Sequence, residues 1–167
     1  ASQDHLRPCL GIRGGKMEKL TIQTACGDIT MKLRRDAAPG TCDYICKAVA
    51  DKLYDNTSFY RSDFVIQCGL HGTDKKPNGN IERNETNDGV KISNKRGTAA
   101  IAHWDVPDNG NTEFFINLQT NDHLDTVYGG YCVFAEVADD ASFTTVDKIA
   151  DAVKKCGKVA IISVTAS

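Results

Sequence analysis

The run Phe59-Tyr60-Arg61-Ser62-Asp63-Phe64-Val65-Ile66-Gln67-Cys68-Gly69 decides how the rest of the chain is read. Two apolar, strand-like pieces flank a single cation, Arg61, and the second piece carries one uncharged hydrogen-bonding side chain, Gln67. Strands that only fill a core favour β-branched and aromatic residues and seldom carry both of these groups. Two readings stand on this run alone. Either Arg61 ends a strand and Gln67 faces water, or the pair holds a ligand.

Working toward the N-terminus, Thr57 to Arg61 and Phe64 to Cys68 read as paired strands. Before them Tyr44, Ile45, Ala48, Val49 and Leu53 recur at a helical spacing, which defines one apolar stripe. Pro39-Gly40 punctuates the chain ahead of it, and Thr41 is the expected N-cap. Residues 21–33, TIQTACGDITMKL, read as a hairpin turning at Cys26-Gly27-Asp28, with Ile22, Ile29, Met31 and Leu33 facing a core. Residues 1–16 show neither period and end in Gly-Gly-Lys, so they read as a flexible extension, native or left by a fusion or processed leader. The folded domain is then expected over 17–167.

Toward the C-terminus, residues 70–96 are rich in Gly, Asn, Asp and Lys. They read as a long surface excursion, and loops of that length are often functional. Gly97 to His103 is a small-residue strand, Trp104 to Asn111 a loop, and Glu113 to Leu118 a strand carrying Phe114-Phe115. Asn121 to Asp125 reads as one helical turn that Tyr128-Gly129-Gly130 breaks before a strand at Tyr131 to Val137. Ser142 is expected to cap a second helix with Val146, Ile149 and Val153 on one face, and Val159 to Thr165 closes the chain as a strand. Seven or eight short strands, two helices and no strand-helix alternation favour a sandwich or a closed antiparallel barrel with the helices at its ends.

Composition narrows the function. The 167 residues are 41% hydrophobic and 25% charged, near ordinary globular values and enough for one domain with its own core. The net charge is −2 and the basic residues are scattered, which argues against nucleic acid as a partner. No apolar run approaches the ~18 residues that span a bilayer, so the chain reads as soluble with no membrane partner. Seven cysteines, an odd number, read as free thiols of a reducing, cytoplasmic compartment rather than a disulfide framework.

Catalytic motifs with nucleophiles are missing: there is no GxSxG elbow, Walker loop, HExxH or CxxC pair. Cys42 with Cys46, and Cys68 with His71, offer two halves of a metal site, but buried thiols behaving as small hydrophobes account for them better, and no metal is expected. His103 and Asp105 lack a nucleophile to activate. An arginine, a glutamine and aromatic residues on neighbouring strands remain, which suits a pocket for an apolar group beside an amide.

The runs FYRSDFVIQCG, RGTAAIAH, NTEFFINL, HLD and YGGYCVFAEV, in this order and spacing, resemble the cyclophilin family of peptidyl-prolyl cis-trans isomerases over residues 17–167. That resemblance implies a mainly β fold, a closed eight-stranded antiparallel β-barrel capped by two α-helices, usually monomeric and without cofactors. It implies proline-containing peptides and proteins as partners. Arg61 is similar to the family's catalytic arginine and Gln67 to the glutamine that bonds both the arginine and the substrate. Phe64, Val65, Phe115 and Leu124 resemble the walls of the proline pocket, and Ala102 and His103 the strand that pairs with substrate backbone.

Several departures from the family bear on activity. Glu113 stands where glutamine is usual, beside the site, where it is expected either to pair with Arg61 and weaken it or to favour basic peptides. The connection from Arg61 to Phe64 is two residues short. Tyr131 replaces a frequent histidine, and His123 replaces the tryptophan that supports cyclosporin binding, so weak cyclosporin binding is implied. Two functions follow, a prolyl isomerase that assists folding and an X-Pro peptide-binding module with low turnover.

Overall fold

Short strands with alternating apolar residues each present one greasy face, and closing such a sheet on itself buries all of those faces at once. The computed structural model describes residues 16–167; the extension expected at 1–16 lies, apart from Lys16, outside the described residues. The strands are β1 (Lys19–Thr24), β2 (Gly27–Leu33), β3 (Thr57–Ser62), β4 (Val65–Gly69), β5 (Thr98–Ile101), β6 (Phe114–Asn117), β7 (Val133–Val137) and β8 (Val159–Ala166). The helices are α1 (Pro39–Ala50) and α2 (Asp140–Cys156). Every strand pair is antiparallel and the order β1-β2-β7-β5-β6-β4-β3-β8 closes into a barrel. The barrel, not the sandwich, is the fold.

Strand alternation divides the apolar residues into two clusters. Ile66 and Cys68 of β4, Ala99 and Ile101 of β5, and Phe114 and Ile116 of β6 point into the barrel, where they meet Ile22, Ile29, Met31 and Phe134. Their sequence neighbours Val65, Ala100 and Phe115 point outward and form a second, smaller cluster with Leu124 and Val133. The register Gln67↔Phe115↔Ala100 places these three side by side across β4, β6 and β5, and the period of two then puts all of them on the outer face. An apolar cluster on the outside of a barrel has no structural duty to its core.

The helices form where expected, but their caps differ. Pro39 occupies the first turn of α1 and Ala38 is the N-cap residue, because a proline lacks the N–H that a cap would satisfy. Thr41, expected as the cap, lies inside the helix and donates its hydroxyl to Glu85. In α2 the cap is Asp139, whose carboxylate accepts the Ser142 N–H at 2.8 Å. Ser142 instead accepts the Thr30 N–H through its hydroxyl and ties the helix to β2. Gly157 ends α2 at φ 89°, a left-handed conformation suited to glycine.

The excursion from 70 to 96 has no helix or strand but is held at two points along its course. Near its middle, Glu85 is buried and its carboxylate accepts the Gly40 and Thr41 N–H groups at 3.1 and 2.6 Å and the Thr41 hydroxyl at 2.7 Å. Toward its end, Asp125 accepts from the Ser93 hydroxyl and from the backbone and side-chain N–H groups of Asn94. Burial alone raises the Asp125 pKa, yet the bonds from Ser93 and Asn94 outweigh it and leave it below the ordinary 3.8. A depressed folded pKa contributes stability above the unfolded value that is lost as pH falls through the folded one. Acid titration monitored by thermal unfolding should therefore show a loss beginning below pH 3.8 that shrinks in Asp125→Asn; an identical acid limb in both proteins would sink this assignment.

Candidate active site

A tight turn joins Arg61 to Phe64, and Asp63 closes it with its own atoms. Its N–H donates to Val65 O at 3.0 Å, and its carboxylate accepts the Val65 N–H at 3.2 Å. The register of β3 against β4 shifts between Phe59 and Arg61 and then pairs Arg61 with Gln67. The turn thus keeps the arginine and the glutamine directly opposite each other. Phe64 falls at the turn rather than in a strand, and its carbonyl is fixed by the Leu118 N–H and the Asn121 side chain, both at 3.1 Å.

Three anchors hold the guanidinium. Nε donates to Asp63 at 2.8 Å, Nη1 donates to Gln67 Oε1 at 2.9 Å, and the plane lies 5.2 Å from the centre of the Phe64 ring. The expectation that Arg61 pairs with Glu113 is corrected: the ion pair is with Asp63, on its own turn. That pair is close to half exposed, at 41% and 45%, so water screens it and it adds little stability. A guanidinium carries five N–H groups. Two are engaged here, and the other three have no partner among the described residues.

Glu113 is turned away from Arg61. It accepts from the Tyr60 hydroxyl at 2.9 Å, the Leu70 N–H at 2.9 Å, the His71 N–H at 3.1 Å and the Thr112 hydroxyl at 3.1 Å. Gln67 bonds the arginine as expected, while its amide nitrogen donates to the Tyr60 hydroxyl.

Beside the arginine lies the outer cluster. Phe115, Leu124, Val65, Ala100 and Val133 are buried, with Phe64, Ile92, Ala102 and Tyr131 packed around them. Val65 is 1% exposed and so underlies the hollow instead of lining it. Tyr131 meets Phe115 edge to face at 5.8 Å, and exposed His123 packs against Phe64 at the same centroid distance. His123 and Leu124 sit on the short 3-10 turn Asp122–Asp125, as the sequence led one to expect.

The strand edge at Ala102-His103 is partly occupied by the protein itself. Ala102 donates its N–H to Glu113 O at 2.9 Å, and the His103 carbonyl accepts the Tyr131 hydroxyl at 3.3 Å. The His103 ring stacks on Tyr131 at 4.2 Å, with its nitrogens 2.6 Å from Trp104 O and 2.8 Å from Gly130 O.

Sequence reasoning missed a buried asparagine network that sets this geometry. Asn117 donates to Asn94 Oδ1 and Thr98 Oγ1, and Asn121 donates to Asn117 Oδ1 and the Phe64 carbonyl. Asn121, 57 positions from Phe64, gave no local signal. Tyr60 was also missed, although its place beside Arg61 could have marked it.

The chain is thus a closed antiparallel barrel with an apolar cluster and an anchored guanidinium on its outer face. The model of the cyclophilin type peptidyl-prolyl cis-trans isomerase/CLD family matches residues 19–166, and the chain belongs to this family of prolyl isomerases. Peptidyl-prolyl cis-trans isomerase B of Escherichia coli (strain K12) is 39% identical over 139 residues, covering 78% of this chain and 82% of that relative. Peptidyl-prolyl cis-trans isomerase-like 3 of Rhizopus delemar is 33% identical over 137 residues, covering 75% of this chain and 78% of that relative. The fold is similar to that of a Cryptosporidium parvum cyclophilin type isomerase crystallised in the presence of the dipeptide Ala-Pro, with a TM-score of 0.75 and 23% identity. That likeness covers 89% of this chain and 98% of the other. No helix among the described residues is long and apolar enough to cross a membrane.

Proposed function

We propose that this isomerase turns X-Pro bonds in the hollow beside Arg61, with Arg61 as the catalytic group, Gln67 as its hydrogen-bond partner, and Phe64, Phe115 and Leu124 gripping the proline ring. The observation that carries this reading is the guanidinium held at three points beside an apolar cluster that the core does not need. Rotation about a peptide bond faces a barrier of about 18–20 kcal/mol because resonance makes it partly double, and uncatalysed X-Pro exchange is correspondingly slow. As the bond twists, the prolyl nitrogen becomes pyramidal and gains a lone pair. A free N–H of Arg61 donates to that lone pair, which exists only in the twisted state, so the contact lowers the barrier without binding the ground state equally. A reduction of about 5–6 kcal/mol corresponds to roughly ten-thousandfold acceleration.

Ala102, His103 and Tyr131 shape the edge along which the peptide backbone lies, and His123 borders Phe64. Glu113 stands behind this edge and does not reach Arg61. The clients are exposed X-Pro segments of folding proteins, the acting unit is a monomer, and residues 17–167 are the domain. The described cysteines are unpaired, and burial pushes the thiols of Cys42 and Cys132 up to about 12. Burial leaves these thiols protonated and unreactive, and the odd cysteine count supports a reducing cytoplasmic compartment.

Exchange spectroscopy on a short X-Pro peptide tests the reading. Catalysed exchange supports it, and peptide binding without exchange would favour the low-turnover binding module instead. Cyclosporin added to the same assay should inhibit only weakly, because the exposed His123 ring offers less apolar area than a tryptophan; a nanomolar inhibition constant would contradict this.

A further inference from the structure

Glu113 is a carboxylate that the bond rotation does not use, yet it is heavily engaged. Leu70, His71, Thr112 and Tyr60 all donate to it. Gly69 makes the room, since a Cβ there would lie 2.1 Å from Glu113 Oε2. An ionised carboxylate can only accept hydrogen bonds, so the direction of each contact is fixed. Tyr60 must give its single proton to Glu113 Oε1. The phenol oxygen is then left with lone pairs only, and Gln67 can meet it in one orientation, with Nε2 donating at 2.9 Å. That orientation turns Gln67 Oε1 toward Arg61, which donates to it at 2.9 Å. The reversed carboxamide would set its NH₂ against the guanidinium, donor against donor. Burial first, and then the charge and hydrogen bond of Glu113, push the Tyr60 phenol up, which keeps the proton in place.

We propose that Tyr60 and Glu113 are positioning residues whose hydrogen-bond polarity fixes the Gln67 carboxamide and, through it, the aim of Arg61. The proposal rests on the reading of Arg61 as the catalytic group. It also gives the acidic residue at 113 a purpose. A glutamine there has one accepting and one donating end, so it cannot accept from Tyr60 and from both backbone N–H groups of Leu70 and His71 at once.

Tyr60→Phe removes the hydroxyl and keeps the ring beside His71, 5.1 Å away. Loss of the hydroxyl's two half-buried hydrogen bonds, to Glu113 and from Gln67, predicts that kcat falls about tenfold, with KM changed less than about twofold. Placed on a Gln67→Ala background, Tyr60→Phe should have no further effect, because its only route to the arginine is gone. Equal losses in both backgrounds, or no loss in the native background, overturn the proposal. A second readout is independent of turnover: a Gln67 side-chain amide proton should give a nuclear Overhauser contact to the Tyr60 ring, because Nε2 is the end turned toward the phenol. Glu113→Gln should weaken or abolish that contact, and an unchanged contact overturns the proposal. Absence of catalysed exchange in the intact protein would instead remove the role assigned to Arg61, while the Overhauser contact still decides whether the polarity is set as described.

Discussion

Arg61→Ala is expected to lower kcat/KM on a short X-Pro peptide by about a hundredfold to a thousandfold, the usual loss when one preorganised donor to a transition state is removed. The fall should appear in kcat, because the lone pair that Arg61 meets is absent from the planar ground state. Peptide affinity should change little, since the apolar hollow of Phe64, Phe115 and Leu124 is left intact. Stability should also change little, because the arginine and its Asp63 partner are near half exposed and their ion pair is screened. Arg61→Lys separates charge from geometry. An ammonium cannot reach Gln67 and Asp63 while also offering a planar N–H to the substrate, so it should recover only part of the loss. Exchange rates at saturating and limiting peptide, with unfolding curves for each variant, make the measurement. Unaltered turnover in Arg61→Ala would remove the arginine from the mechanism.

The period of two made the strands visible but left sandwich and barrel open, and the family resemblance pointed to the barrel that forms. Ile22, Ile29, Met31 and Leu33 turn inward as that period requires, and the run from Phe59 to Gly69 forms the two strands that carry the site. The same period, applied to Val65 and Gln67 together, already implies a functional outer face. What could not be read were contacts made across large sequence separations. Glu113 is 53 positions from Tyr60 and 43 from Leu70, so its charge pointed to the nearest cation in the motif instead of to backbone N–H groups. Asp63, only two residues from Arg61, was the local partner. The tight turn between Arg61 and Phe64 is the reason that partner is there. Caps failed for a similar cause: Thr41 and Ser142 have the right chemistry, but each is drawn to a tertiary partner, Glu85 or Thr30.

Glu85→Ala is expected to destabilise the protein by about 3 kcal/mol, the cost of leaving several buried donors without an acceptor. Two backbone N–H groups and one hydroxyl at the start of α1 point at this carboxylate, and no side chain at the cap position Ala38 replaces it. The negative charge also lies at the positive end of the helix dipole, which adds to the loss. For a domain of this size such a change lowers the unfolding midpoint by roughly 6–12 °C. Glu85→Gln retains one acceptor oxygen and should lose about half as much. The effect should extend to the site, because the excursion that Glu85 pins to α1 goes on to place Ile92 against the outer apolar cluster and Asn94 against Asn117 and Asn121. Asn121 in turn holds the Phe64 carbonyl. Freed from its anchor, the loop should raise KM for peptide while the Arg61 chemistry persists, so kcat falls less than kcat/KM. Thermal unfolding and steady-state exchange on the same preparations test both halves. A midpoint within a degree or two of the native protein's would show that Glu85 is not what holds the loop to the barrel.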